Sequence, residues 1–200
     1  LDGDMRYLLT YYDRGFSGNP YEAECDKTYS MDALPQEYPC FGTGDFRSPA
    51  FVLKNADGSY CADLRFVSCE VCKGKYQIPG LPAVYDETGT ESETLKVYLE
   101  DAVSGVQVTL LYGVFAEFDI ITRAVQITNH GDKTVHIEKS ASAVLDFMNG
   151  EFDVIHFHGR HGMERIFERT SVEHGNQVFG SRRGASSHQQ NPFVMLAGKQ

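Results

Sequence analysis

Leu95-Lys96-Val97-Tyr98-Leu99-Glu100, a turn at Ser104-Gly105, and then Val106-Gln107-Val108-Thr109-Leu110-Leu111-Tyr112 form the stretch that decides the fold. Leu95, Val97 and Leu99 alternate with Lys96, Tyr98 and Glu100. A period of two places one face in a core and the other toward water, as in a half-buried strand. The second run stays apolar to Phe115, and Ser104-Gly105 joins the two. Further out, residues 6–12 are rich in aromatic and apolar side chains suited to a pleated surface. Residues 121–128 alternate again, and strand-like runs follow at 135–139, 141–147, 153–157 and 164–170. A last run, near 193–198, reads as a strand caught midway.

The connections carry turn chemistry. Asp57-Gly58, Ser104-Gly105, His130-Gly131-Asp132, Asn149-Gly150 and His174-Gly175-Asn176 each separate two such runs. These residues supply the positive φ that tight hairpins require. Short strands punctuated this regularly indicate antiparallel sheets. No segment holds a helical period beyond one or two turns. No internal repeat or linker is visible. The expectation is one all-β domain over residues 1–200, an antiparallel sandwich with its sheets face to face.

Composition narrows the function. The 200 residues are 42% hydrophobic and 12% aromatic, ample for a core. The net charge of −10 argues against nucleic acid and against docking on anionic lipid, and suits a neutral substrate. No signal peptide opens the chain and no apolar run has bilayer length. Five cysteines at uneven spacing make a poor disulfide framework and read as reduced thiols of a cytoplasmic protein. Cys69-Glu70-Val71-Cys72 has the spacing of half a zinc site, but no second pair follows. Two thiols near the end of a strand are the simpler reading.

One segment departs from the strand-and-turn pattern. Residues 16–48 form a long polar stretch, and such loops are often functional. The stretch closes on Gly42-Thr43-Gly44-Asp45-Phe46-Arg47-Ser48-Pro49-Ala50. Carboxylate, ring and guanidinium side by side are what a sugar needs: charged groups grip hydroxyls and a ring covers a C–H face. Asp45 and Arg47 either pin the loop as a salt bridge or bind a polar ligand, with Phe46 or Tyr38 as the platform. Residues two apart on an extended segment point the same way, so both readings are sterically sensible.

Other clusters are less specific. His156 and His158 share a face of a strand; a metal there lacks a third ligand, and solvent-facing histidines beside a turn are the alternative. Glu164-Arg165 and Glu168-Arg169 suit solvated or cross-strand ion pairs. Ser186, Ser187 and His188 lack a nucleophile elbow. Paired carboxylates are the machinery of glycoside hydrolysis, yet no spacing singles out a pair among the many acids.

The ordered segments Glu37-Tyr38-Pro39, Gly42 through Ala50, Gly80-Leu81-Pro82-Ala83, Thr122-Arg123 with Asn129, Ser142-Ala143 with Leu145-Asp146-Phe147, Glu164-Arg165, and Arg183-Gly184 through Ser186-Ser187-His188 to Asn191-Pro192-Phe193 give the chain a resemblance. It resembles the N-terminal domain of the family 36 glycoside hydrolases, the α-galactosidases that act on raffinose- and melibiose-type sugars. The resemblance implies an antiparallel β-supersandwich of two large sheets with few or no helices, preceding a catalytic (β/α)8 barrel. It implies a retaining double displacement by two barrel aspartates, so no catalytic residue, metal or cofactor is expected in this chain. It also implies a sandwich left incomplete at the C-terminus of this chain, a homotetramer, and α-galactoside substrates. Asp45, Phe46 and Arg47 become the candidate substrate-binding residues, donated to a neighbouring subunit. His161 stands where the family usually has tryptophan. A freestanding, lectin-like carbohydrate-binding sandwich is the alternative.

Overall fold

A computed structural model describes residues 35–147, 150–183 and 188–199. The expected strand at 6–12, the part of the long loop before residue 35, and Ser186 and Ser187 lie outside them. Nine strands make up the described chain: β1 (Phe51–Lys54), β2 (Arg65–Lys73), β3 (Glu93–Asp101), β4 (Val106–Phe115), β5 (Ile120–Asn129), β6 (His136–Ser140), β7 (Phe152–Arg160), β8 (Met163–Ser171) and β9 (Gln190–Gly198). Among the described residues the one helical feature is a 3-10 turn at Ala116–Phe118. The fold is all-β and its paired strands are antiparallel. The chain divides into two compact units between Asp146 and Phe147.

The first unit contains a four-stranded meander in the order β2-β3-β4-β5 and a two-stranded ribbon of β1 and β6. Register explains its core. Val97 lies opposite Leu110, Leu99 opposite Val108, and these face Val125 and Ile127 on β5. Residues directly opposite in an antiparallel pair share a face, so the apolar half of each alternation merges into one surface. Phe51 and Leu53 from β1 join Val106, Val108 and Leu110 in that core, with Tyr38, Cys40, Ala50 and Ala62 around them. All five of those strand side chains are essentially inaccessible. Burying each is worth about 1.5–3 kcal/mol before entropy is counted. The reverse face of the meander carries Lys96, Tyr98, Gln107, Thr109 and Gln126.

One expectation changes here, and one strand that the sequence does not announce appears. Residues 141–147 do not form a strand. The Ala141 amide donates once to Ala50 O, at 2.8 Å, and the backbone then leaves the ribbon. That departure delivers Asp146 to the loop described below. Conversely, β2 lacks a clean alternation because it is a meander edge, exposed along nearly its whole length. Its cysteines lie on one strand, paired across to Val97 and Thr94. Three residues apart, they point to opposite faces.

The second unit is a three-stranded sheet in the order β8-β7-β9. Its charges pair across strands. Arg169 Nε donates to Asp153 Oδ2 at 2.7 Å, and Ser171 Oγ donates to Asp153 Oδ1 at 3.0 Å. These bonds, Arg169 first, hold the Asp153 carboxyl below its usual value.

Candidate functional site

The loop that opens at Gln36 and closes at Ala50 is fastened at its base. Pro39 O accepts from the amides of Ala50 (2.8 Å) and Phe51 (3.2 Å), and Phe41 N donates to Phe51 O at 3.0 Å. Since Phe51 is wholly buried, the base is tied to the core. Tyr38 is part of that core, with its hydroxyl donating to Ala141 O at 3.0 Å. Its ring is therefore packed away and is no platform for a ligand. Gly42 then turns the chain at φ 99°. A Cβ there would stand 2.8 Å from Tyr60 O and 2.9 Å from the Cys61 Cα, so glycine is required twice over.

Past that turn, the loop folds around one carboxylate. Asp45 Oδ1 accepts from Arg47 N at 2.9 Å and Arg47 Nε at 3.0 Å. Asp45 Oδ2 accepts from Arg47 Nη2 at 2.9 Å and Gln36 Nε2 at 2.6 Å. The Asp45 side chain is only 2% exposed, while that of Arg47 is 37% exposed. Bidentate pairing of this kind fixes geometry as well as charge. Arg47 Nη1 extends to Asp146 Oδ2 at 3.3 Å, and Gln36 N donates to the same oxygen at 3.1 Å. Of the two readings open for Asp45 and Arg47, the salt bridge is present and turns inward. Phe46 lies between them and faces outward, 84% exposed.

A second brace holds the entry to the loop. Glu37 Oε1 accepts from Arg123 Nη2 at 2.8 Å and from the Tyr112 hydroxyl. The Arg123 guanidinium stacks on the Tyr112 ring at 3.9 Å. Burial, and then the Glu37 carboxylate, push the Tyr112 phenol above its ordinary value. Gln36, Glu37, Tyr112, Arg123 and Asp146 thus belong to the site, though sequence reasoning gave them no role. The bonds of Gln36 to Asp146 and of Glu37 to Tyr112 and Arg123 join segments far apart along the chain, so local spacing carries no signal of them.

The chemistry available here is binding. Asp45 has both oxygens filled by the protein and acts as a brace. Phe46 offers an open aromatic face, and Arg47 offers a part-accessible guanidinium beside it. Both suit a sugar ring.

His156 and His158 share a face of β7, as expected. His156 and His158 both approach Glu168 Oε2, at 3.5 and 3.1 Å. His156 is 5% exposed on the central strand of its sheet, so it is not a solvent-facing residue. Its ring packs on Phe179 at 4.1 Å. Among the described residues, no group of three His, Cys, Asp or Glu side chains is placed to hold a metal ion.

An all-β domain presenting a braced aromatic loop is the class that these features define. The family model described as the Glycosyl hydrolase family 36 N-terminal domain matches residues 7–200, and the chain belongs to that family. It is 56% identical over 198 residues to the bifunctional alpha-galactosidase/sucrose kinase AgaSK of Mediterraneibacter gnavus, covering 99% of this chain and 21% of that protein. It is 43% identical to alpha-galactosidase AgaA of Geobacillus stearothermophilus, covering 94% of this chain and 25% of that one. The crystal structure of the alpha-galactosidase AgaB from Geobacillus stearothermophilus superimposes with a TM-score of 0.88 at 43% identity, over 94% of this chain and 26% of the other. The galactosidase domain of AgaSK gives 0.89 at 56% identity, over all of this chain and 28% of the other. The chain thus spans about a fifth to a quarter of the length of these relatives.

Proposed function

We propose that this chain is the N-terminal region of an α-galactosidase that removes terminal α-galactosyl residues from raffinose- and melibiose-type sugars by a retaining double displacement. Nucleophile and acid/base lie on sequence beyond this chain, in a C-terminal barrel. The region supports that barrel, takes part in a homotetramer, and lends the loop from Gly42 to Pro49 to the substrate of a neighbouring subunit. Phe46 covers a sugar face there, Arg47 reaches hydroxyls, and Asp45 holds both in place.

The observation that carries this reading is the exposed Phe46 ring on a loop immobilised by a buried carboxylate. A bare ring on a rigid mount binds with little ordering entropy to offset. The experiment compares Phe46→Ala with the parent in the whole protein. Raffinose KM is expected to rise about fivefold to tenfold, equivalent to the loss of one stacking contact. The kcat for p-nitrophenyl α-galactoside and the oligomeric state should hold. An unchanged raffinose KM in intact oligomers would leave the loop without a substrate role.

A further inference from the structure

The reverse face of the meander holds a cleft of about 500 Å³, well separated in chemistry from the Phe46 loop. Small-molecule sites commonly range from about 300 to 1,000 Å³. Its walls are built. Thr94 Oγ1 donates to Gly74 O at 2.7 Å and accepts from Tyr76 N at 3.0 Å, which clasps the segment after β2 to β3. Further along the same strand, Lys96 Nζ (2.8 Å) and the Tyr98 hydroxyl (2.7 Å) both donate to Glu70 Oε1.

Gln107 and Thr109 on β4 and Gln126 on β5 complete the lining. Their side chains make no hydrogen bond to any other described residue. Each amide can donate and accept at once, which matches a hydroxyl that does the same. Tyr76 and Tyr98 add apolar ring surface. Of the three lysines lining the cleft, Lys96 is matched by Glu70, Lys75 Nζ lies over the Tyr76 ring and donates to Tyr76 O at 3.3 Å, and Lys73 stands opposite Glu93 in the β2–β3 register. A chain with a net charge of −10 is a poor host for a polyanion.

We propose that this cleft is a non-catalytic binding site for a neutral oligosaccharide, with Gln107 and Gln126 as its recognising residues. It would tether carbohydrate to the protein independently of the Phe46 loop and of any hydrolytic centre.

The test is calorimetric titration of the whole protein with cellotetraose, maltotetraose and mannotetraose. None ends in an α-galactosyl residue, so an α-galactosidase site does not confound the reading. At least one should bind with a Kd near or below about 1 mM. The double variant Q107A/Q126A should weaken it by about tenfold or more, with hydrolysis of p-nitrophenyl α-galactoside unchanged. The single exposed variant Q126A gives the same direction without touching the more enclosed Gln107. F46A should leave tetrasaccharide binding intact, which separates this site from the loop even if the galactosidase reading fails. Binding of none of the three, indifference to Q107A/Q126A, or preference for glucose 6-phosphate over every neutral sugar overturns the proposal.

Discussion

Replacing Asp45 tests whether its carboxylate is a brace. In Asp45→Asn one oxygen becomes an NH2 group. At the Oδ1 position it would confront two Arg47 donors, so it must take the Oδ2 position. Gln36 can turn its amide to accept there, but Arg47 Nη2 cannot. One charge-assisted bond is lost, nominally about 1.5–3 kcal/mol. Arg47 is more than a third exposed and regains water, so the expected loss is about 1–2 kcal/mol. Asp45→Ala removes all four bonds and should lose about 2–4 kcal/mol. With no tryptophan in the chain, urea unfolding is best followed by tyrosine fluorescence or far-ultraviolet dichroism. A double-mutant cycle with Arg47→Leu should return a coupling of about 1 kcal/mol or more. Stability of Asp45→Asn within about 0.5 kcal/mol of the parent, with no coupling, would refute the brace.

Phe51→Ala should destabilise the first unit by about 3–5 kcal/mol in the same urea assay, since its ring is fully enclosed between the ribbon and the meander. Burial pushes the Cys40 thiol up to about 12, so alkylation at pH 8 followed by peptide mass spectrometry should label exposed Cys69 well before Cys40. Asp153, held low first by Arg169, contributes stability that is fully present above the unfolded carboxyl value, about 3.9, and is lost as pH falls through its lower folded value. Asp153→Asn should therefore flatten the acid limb of a stability-versus-pH curve while lowering stability at neutral pH. Tyr112→Phe should leave Arg123 paired with Glu37 but raise hydrogen exchange in residues 36–38, since one of two bonds anchoring Glu37 is gone.

The strands that the residues themselves reveal are those with one wet face and one dry face. β3 shows its alternation because Lys96 and Tyr98 face the cleft while Val97 and Leu99 face the core. β2 shows nothing comparable, because an edge strand with both faces largely exposed has no reason to alternate. Residues 141–147 mislead for the opposite reason. Their apolar side chains include Val144, which packs on the core, but their backbone is spent on crossing away from β6. At the site, a spacing of two residues on one segment makes the Asp45–Arg47 pair one of two sterically sensible readings. The Gln36, Glu37, Arg123 and Asp146 contacts depend on how distant strands come together, which local spacing does not encode. The alternative reading of His156 as solvent-facing fails because its place on a central strand buries it.

In the loop from Gly42 to Pro49, the residues that hold the backbone and the residue that faces outward are different ones. Gly42 and Asp45 admit almost no other lettering, since each is hemmed in by backbone or by four donors. Position 46 meets chiefly solvent and is free to become tyrosine, leucine or histidine at little expense to folding. Selection can therefore vary this outward position one side chain at a time, without renegotiating the scaffold beneath it.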